Sequence, residues 1–445
     1  MLPWLVIAVL AAACSGAADG DGARGTGQDG GQALSGEITI LHAFTAEADV
    51  QALEAVTEAF EARHPNVTVT EEGSNDFGQL ARARIASGTP PDIILHPQPG
   101  LLRDFIAQGV VQPLDRPTPA REQDARVDLV AEVVDLTTVD GVPYAFPVRV
   151  SIKSLVWYDL PVFESAGYEV PSTWDDLLAL TEQIAEDGRH APWCIGIESG
   201  EATGWPATDW VEDVVLRALG PERYDAWVAG ELAFASPEVL DAVEQHMVPI
   251  WTTDGYVAGG REAIARTDFG QSVAGILGGS DARCVLHRQA TFIEGFIAEA
   301  DPDATFGTDY GVFVLPPIDP DHGTPVLGAA DLAARYTDTP ASRAFMDFIT
   351  TREAGEGWAR GGFLSPLADV DPTAYPTDSA REAARILGEA DVFRFDGSDL
   401  MPGDVGASSR PGSFWLEMTR WIAGDATLEE AFAAIDRRYA EVAGG

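Results

Sequence analysis

Three strand–helix units in a row open the folded part of this chain, and they constrain its architecture more than any other feature. The apolar runs ITILH (38–42), VTVT (67–70) and DIILH (92–96) predict buried strands. A helical pattern follows each run, and this alternation is typical of a parallel sheet covered by helices. Ligands of such sheets bind beyond the carboxyl ends of the strands. A binding site is therefore expected among the segments 42–44, 73–76 and 96–98.

The rest of the chain starts a second alternation of strands and helices. Strands are predicted within 142–159, 193–197 and 310–316, and helices over 174–186, 210–220, 237–251 and 342–359. Thr173 is a candidate N-cap for the first of these helices. A chain of 445 residues can bury more than one core. These features together predict an α/β protein of two lobes, with a ligand cleft between them.

The N-terminal segment predicts export and anchoring. Residues 1–13 are apolar throughout, too short to span a bilayer and typical of a signal peptide. Cys14 follows three alanines, which resembles a bacterial lipobox, although Ala11 stands where leucine is usual. We expect residues 1–14 to be a lipoprotein signal peptide with Cys14 lipidated, and residues 15–36 to be a flexible tether. The alternative is an ordinary secretory signal with an incidental cysteine.

The formal net charge of −43 excludes some partners. A polyanion of this size repels nucleic acid and anionic lipid headgroups, so neither is an expected ligand. Among the 28 basic residues Lys153 is the single lysine. GC-rich codon usage explains the excess of arginine, but it leaves open why a lysine stands at this position.

Two cysteines remain after Cys14. Outside the cytoplasm an even pair predicts a disulfide, here between Cys194 and Cys284. Two buried free thiols are the alternative.

Several segments, taken in order, resemble one protein family. They are DIILHPQPG, GVPYAFPVRVSIKSLVWYD, PSTWDDLLAL, GWPATDWVED and GVFVLPP. The chain is similar over residues 37–440 to extracellular solute-binding protein family 1, the substrate-binding lipoproteins of carbohydrate ABC importers, especially the branch for α-glucosides and other oligosaccharides. The resemblance implies a periplasmic-binding-protein type II fold, a sugar ligand, a membrane permease as partner and no catalysis. It also implies that 37–147 and 308–354 form lobe one, and that 148–307 and 355–445 form lobe two.

A sugar needs aromatic rings against its apolar faces and polar groups against its hydroxyls. The stretch Trp205-Pro206-Ala207-Thr208-Asp209-Trp210 supplies both, so Trp205, Asp209 and Trp210 are candidate ligand-binding residues. The competing interpretation is that Asp209 caps a helix and Trp210 packs in the core.

Further candidates follow predicted strands or flank glycines. The set comprises Gln98, Asp331, Glu47, Asp76 and Phe363. The acidic members also fit helix caps or first-turn acids that complement a helix dipole. Arg149 and Lys153 lie near the expected hinge, where an ion pair between lobes is as reasonable as a ligand contact.

Other functions remain open at this stage. The chain has neither an HExxH nor a GxSxG motif, so we expect no enzyme, no cofactor and no metal. The alternatives are a surface lipoprotein glycan hydrolase, or the same receptor fold binding a polyol or a metal through His42 and His96. The expected protein is a monomer, lipid-anchored on the extracellular face of the cell membrane, or on the periplasmic side in a Gram-negative cell.

Overall fold

The computed structural model describes residues 34–114, 133–367, 370–390 and 392–443. The expected signal peptide, Cys14 and most of the tether lie outside these residues. The strands are β1 Ser35–His42, β2 Asn66–Gly73, β3 Ile93–His96, β4 Thr138–Val139, β5 Val142–Pro143, β6 Ala145–Ile152, β7 Leu155–Asp159, β8 Ala191–Trp193, β9 Cys284–Arg288, β10 Tyr310–Val314, β11 Val326–Arg335 and β12 Phe393–Phe395.

Helices cover the sheets and link their strands. They are α1 Glu47–Arg63, α2 Phe77–Ala86, α3 Pro99–Ala107, α4 Leu160–Ala166, α5 Trp174–Asp187, α6 Trp205–Leu219, α7 Pro221–Val228, α8 Pro237–His246, α9 Val248–Thr252, α10 Arg261–Ile264, α11 Ile293–Ala300, α12 Pro340–Ile349, α13 Arg352–Arg360, α14 Asp378–Glu389, α15 Gly397–Leu400, α16 Phe414–Ala423 and α17 Leu428–Ala443. Among the described residues no helix is both long and apolar enough to cross a membrane.

The first sheet has the strand order β12-β11-β3-β1-β2, and β6 also pairs with β11. The strand β1 runs parallel to both β2 and β3, so the three predicted strand–helix units are confirmed. The long strand β11 runs antiparallel to β3 and β6. Its register with β6 shifts between Asp331 and Leu332, an irregularity of the kind that re-aims a side chain near a site.

The second sheet has the order β10-β7-β9-β8. The chain passes into it from the first sheet between β6 and β7, through Lys153 and Ser154. These two residues are buried and bound to β11, because Lys153 N donates to Leu327 O at 2.7 Å and Leu327 N donates to Ser154 Oγ at 2.8 Å. The crossover is thus a short, hydrogen-bonded segment.

Sheet membership differs from the expected lobe partition at three places. The strand β12 pairs with β11 in the first sheet, although residues 355–445 were expected in lobe two. The strand β6 continues the first sheet to residue 152, beyond the expected boundary at 147. The strand β10 pairs with β7 in the second sheet, although residues 308–354 were expected in lobe one. The cause is that the second crossover lies between β10 and β11, at residues 315–325.

Two helices differ from their predicted bounds because of proline. The helix predicted over 210–220 already begins at Trp205, since Pro206 lies in its first turn, where no backbone N–H is needed. The helix predicted over 237–251 is divided into α8 and α9, with Pro249 in the first turn of the second piece. Thr173 caps α5 in a capping box with Asp176, as predicted.

The second sheet carries an aromatic-rich core. Trp174, Trp193, Trp210 and Trp251 are all at most 2% exposed, and Trp210 makes edge contacts with the other three. Beside it Cys194 and Cys284 form the expected disulfide, with Cα atoms 5.5 Å apart. Gly275 lies so close that a Cβ there would come within 2.1 Å of Cys194 Sγ, so this packing requires glycine.

Candidate functional site

A cavity of about 180 Å³ lies where the first three strands end. Phe44 follows β1, Asn75 follows β2 and Gln98 follows β3, and all three line it. The carboxyl-end position predicted for the site is therefore where this cavity lies. Its remaining lining comes from α1, from β6 and β11, from the crossover and from segments around the second sheet.

One wall of the cavity is aromatic. Trp205, in the first turn of α6, meets Phe269 edge-on with ring centroids 5.1 Å apart and lies 5.9 Å from Phe292. Phe269 in turn meets Phe296 of α11 at 5.2 Å. The four rings line the cavity and are only partly buried, so they present apolar surface to a ligand.

The facing wall is charged and hydrogen-bonding. Arg149 of β6 forms ion pairs with Asp49 of α1 and, at 2.6 Å, with Asp331 of β11. Its guanidinium lies 3.9 Å from the centroid of the Phe44 ring and 4.5 Å from that of Phe363. Arg149 is only 5% exposed, so the two carboxylates and the rings fix its position and leave it little freedom to follow a ligand.

Lys153 lies at the floor of the cavity, at the crossover between the sheets. Its Nζ donates to Asp209 at 3.0 Å and also to Asp396, and it lies 3.9 Å from Asp399. The same Nζ lies 5.1 Å from the centroid of the Trp205 ring, within the range of a cation–π contact. The single lysine thus joins the aromatic wall to a group of buried acids.

These acids form a buried ionic cluster with an excess of carboxylates. Arg288 pairs with Asp209 at 2.9 Å and with Asp213 at 2.5 Å, and Arg217 also pairs with Asp213. Adding Lys153 gives three cations against five acids among the described residues, the acids being Asp209, Glu212, Asp213, Asp396 and Asp399. The cluster joins α6, β9, the crossover and α15.

Burial and the neighbouring charges together set the pKa values in this cluster. Burial raises the pKa of Asp209 to about 7, although Lys153 and Arg288 oppose the shift. Burial would lower the pKa of Lys153, but Asp209, Asp396 and Asp399 outweigh it and raise that pKa well above its usual value. The lysine therefore stays charged. Asp209, Glu212 and Asp399 hold protons more tightly than in water, whereas Lys153 and hydrogen bonds together outweigh burial and lower the pKa of Asp396.

Three predicted ligand residues line the cavity together: Trp205, Gln98 and Asp331. Asp209 and Trp210 do not line it. Asp209 is fully buried between Lys153 and Arg288, and Trp210 packs among the other tryptophans of the core.

Phe363, Glu47 and Asp76 do not line the cavity either. Phe363 lies behind it, against Arg149 and Trp358. Glu47 and Asp76 are exposed at the starts of α1 and α2. Glu47 is a first-turn acid of α1 and Asp76 is the N-cap residue of α2, and the α1 and α2 N-termini have no side-chain cap from their N-cap residues.

Several lining residues were not among the sequence candidates. They are Asp49, Asn75, Ser151, Ser199, Phe269, Phe292, Phe296, Ser398 and Asp399. The ends of the first three strands pointed to Asn75. The three phenylalanines and Asp399 carry no local signal, because only tertiary packing brings 269–296 and 397–400 to the ends of those strands.

His42 and His96 do not meet in the cavity. His42 Nδ1 accepts from Phe44 N at 3.2 Å, and His96 Nε2 is hydrogen-bonded to the Tyr336 hydroxyl at 2.8 Å. Burial lowers the pKa of His42 to about 4 and that of His96 to about 3, so both are neutral at pH 7. Metal-ligand spacing also occurs among three buried acids, Asp209, Glu212 and Asp396. Two of them, Asp209 and Asp396, already accept hydrogen bonds from the Lys153 ammonium.

The cavity continues into a smaller space of about 60 Å³ towards α2 and α16. Asn75, Gln98 and Trp415 line both spaces. The indole N–H of Trp415 has no hydrogen-bond partner within the described chain, which leaves a donor at this junction.

Two hydrogen bonds join the starts of α1 and α2 to glutamates of segments distant in sequence. Glu299 of α11 accepts from the backbone N–H of Glu47, and Glu201 accepts from that of Gln79. Neither α1 nor α2 has a side-chain cap from its own N-cap residue. Carboxylates from other segments thus take the place of those caps.

One family model and several known proteins are similar to this chain. Residues 45–356 match the model of a family described as bacterial extracellular solute-binding protein. The chain is 42% identical to the alpha-glucosides-binding periplasmic protein AglE of Rhizobium meliloti, over 82% of this chain and 79% of that protein. It is 37% identical to the osmoprotective compounds-binding protein GgtB of Synechocystis sp., over 87% of this chain and 89% of that protein.

Solved structures share the fold. A chitin oligosaccharide binding protein superposes with a TM-score of 0.75 at 18% identity, covering 92% of this chain and all of that one. At this identity the match establishes the two-lobed fold of periplasmic binding proteins and says nothing about the ligand.

Proposed function

This chain belongs to the bacterial extracellular solute-binding proteins, and from that premise we propose that it binds an α-glucoside or another short oligosaccharide and delivers it to an ABC permease. Members of the family are binding components of transporters rather than enzymes. The ligand is accordingly expected to leave the protein unchanged.

The observation that carries the sugar assignment is the pairing of two unlike walls. Trp205 and three phenylalanines offer apolar surface on one side, and Asp331, Gln98 and Asn75 offer hydrogen-bonding groups on the other. A sugar ring has apolar faces and a polar rim of hydroxyls, so it satisfies both walls at once.

The charge distribution supports an uncharged ligand. Arg149 already pairs with two carboxylates, and Lys153 is shared among three. No cation that lines the cavity, among the described residues, is left without an acidic partner. A phosphorylated solute would therefore find carboxylates rather than a free positive charge.

Ligand-driven closure fits the position of the cavity. We assign one lobe to the first sheet with its helices and the other to the second sheet, with Lys153–Ser154, 315–325 and the segment after β12 as crossovers. A ligand bridging Asp331 and Trp205 would contact both lobes and favour the closed form, which then docks on the permease.

A thermal-shift screen of the purified protein tests this function. The panel contains maltose, trehalose, sucrose, raffinose, glycerol-type polyols and zinc. A ligand at 100 times its dissociation constant adds about 2.7 kcal/mol of stability, a shift of several degrees. A shift with one or more glucosides, whose chromatographic profile stays unchanged after incubation, supports the proposal. A shift with zinc alone, or hydrolysis of the sugar, contradicts it.

Membrane anchoring is a separate proposal that rests on the lipobox-like sequence before Cys14. Two acyl chains on this residue would hold the receptor at the outer face of the membrane. Expression of the wild type and of Cys14→Ser in a bacterial host, followed by membrane fractionation, tests it. Release of the variant into the soluble extracellular fraction supports lipidation, and equal partition of the two proteins contradicts it.

A further inference from the structure

Asp399 differs from every other carboxylate that lines the cavity. It belongs to the short helix α15 and is 5% exposed. Asp49 and Asp331 each accept hydrogen bonds from Arg149. The Asp399 carboxylate accepts none in the part of the chain that the structure describes, and its nearest cation, Lys153 Nζ, lies 3.9 Å away.

The Asp399 carboxylate caps no helix among the described residues and is the most distant of the three acids around Lys153. The α15 helix is capped by Asp396, whose side chain accepts from the backbone N–H of Asp399 at 2.8 Å. Lys153 is bonded to Asp209 and Asp396, both closer to it than Asp399. The Asp399 carboxylate lines the cavity and accepts no hydrogen bond from the described residues, so it can accept one from a ligand.

The surroundings of Asp399 determine what that partner can be. Burial, Asp396, Asp209 and Asp331 all raise the pKa of Asp399, and only Lys153 opposes them, so the net shift is well above the usual value. The acids around Asp399 therefore disfavour any further negative charge at this place, whether it arises on Asp399 or on a ligand. The Asp399 carboxyl can bond a ligand hydroxyl whether or not it holds its proton, and it accepts from an amine.

We propose that Asp399 is a specificity-determining residue of the sugar site, which bonds a ligand hydroxyl or amine and excludes acidic sugars. This inference rests on the proposed function. It adds to that function a residue and a class of ligand: neutral or cationic glycosides are accepted, and uronic acids are rejected.

The test compares Asp399→Asn with Asp396→Asn as the matched structural control. Asparagine keeps the volume of Asp399 and removes its charge. We expect Asp399→Asn to keep or raise the melting temperature and to weaken binding of the glucosides that shift the wild type, among maltose, trehalose and sucrose, by tenfold or more. Asp396→Asn, which loses the helix cap and an ion pair with Lys153, should lower the melting temperature.

A second measurement addresses charge. Methyl α-glucoside and methyl α-glucuronide differ by one carboxylate, and calorimetry of each with the wild type and Asp399→Asn gives the discrimination between them. We expect wild type to discriminate against the glucuronide at least tenfold more strongly than the variant does.

Different results would contradict the inference about Asp399 and the proposed sugar-binding function. If Asp399→Asn lowers the melting temperature as much as Asp396→Asn, or leaves glucoside affinity and charge discrimination unchanged, Asp399 is structural and the inference fails. If the wild type binds none of the sugars, the proposed function fails. The melting temperatures then still decide whether the fold needs this carboxylate.

Discussion

The Glu299 carboxylate accepts a hydrogen bond of 2.9 Å from the backbone N–H of Glu47, at the start of another helix. The start of α1 has no side-chain cap of its own, and Glu201 makes the equivalent contact with Gln79 in the first turn of α2. A carboxylate at a helix N-terminus satisfies an unpaired N–H and complements the helix dipole. In the proposed closure, these contacts therefore cap two helices.

Removal of both caps is expected to shift the receptor towards an open form. Each contact is exposed and contributes roughly 0.5–1 kcal/mol. The double variant Glu201→Ala/Glu299→Ala should therefore bind ligand about 5- to 30-fold more weakly, since closure would be less favourable by about 1–2 kcal/mol. Small-angle scattering of the ligand-free protein should show a larger radius of gyration.

Glu182→Ala provides the matched control for this pair. Glu182 is an exposed glutamate of α5 that lines neither part of the cavity. Its replacement should change neither affinity nor radius of gyration. An unchanged affinity in the double variant would show that the two contacts do not contribute to closure.

Two tryptophans five residues apart on α6 should separate binding from stability. Trp205 is partly exposed in the cavity wall, whereas Trp210 is 2% exposed in the tryptophan core. Trp205→Ala should reduce sugar affinity by 10-fold or more with a small loss of stability. Trp210→Ala should lower the free energy of unfolding by about 3–5 kcal/mol.

Calorimetric titration and denaturant unfolding of both variants check this pair. Trp210→Ala that remains folded should bind sugar within a few-fold of wild type. Equal losses of affinity in the two variants would argue against Trp205 as the stacking residue.

The contrast between these residues also shows what sequence reasoning can reach here. Positions four apart on a helix share a face, and Trp205 and Asp209 do share one, because Lys153 contacts both. Sequence alone cannot say that the lysine fills the space beside Asp209 and leaves none for a ligand. Trp210, five positions along, faces the core instead.

The first three strand ends were predictable for a different reason. Parallel strands of one sheet end at the same edge of that sheet. Phe44, Asn75 and Gln98 therefore lie together, however the rest of the chain folds. Asp331 could be predicted as a site residue because a run of strand residues precedes it, although its position in β11 depends on the register shift beside it. Asp399 and Phe296 could not be predicted as site residues, because the residues that they contact lie far away in sequence.

The buried ionic cluster predicts a specific pH dependence of stability. Burial raises the pKa of Asp209 to about 7 in the folded protein, from the ordinary value of 3.8. The folded state therefore holds this proton more tightly than the unfolded state does. The stabilisation is complete below about pH 4 and is lost as pH rises towards 7.

Urea unfolding of wild type and Asp209→Asn between pH 4.5 and 8 measures this contribution. The free energy of unfolding of wild type should fall with rising pH over this window, and the slope should be shallower in the variant, which lacks the titrating group. Because the folded state disfavours the ionised carboxylate, the neutral variant should lose less stability relative to wild type at pH 8 than at pH 4.5. Parallel pH profiles would assign the slope to other groups.

The disulfide between Cys194 and Cys284 is expected to contribute mainly to stability. It closes a loop of 90 residues, for which the loss of chain entropy in the unfolded state corresponds to about 4–5 kcal/mol. The bond lies in the second sheet and lines neither part of the cavity. The double variant Cys194→Ala/Cys284→Ala should therefore unfold at a lower urea concentration, while its sugar affinity, measured well below that midpoint, should match wild type. Wild type incubated with reductant should unfold at the same concentration as the variant. A large fall in affinity at full folding would instead show that this bond positions the aromatic wall.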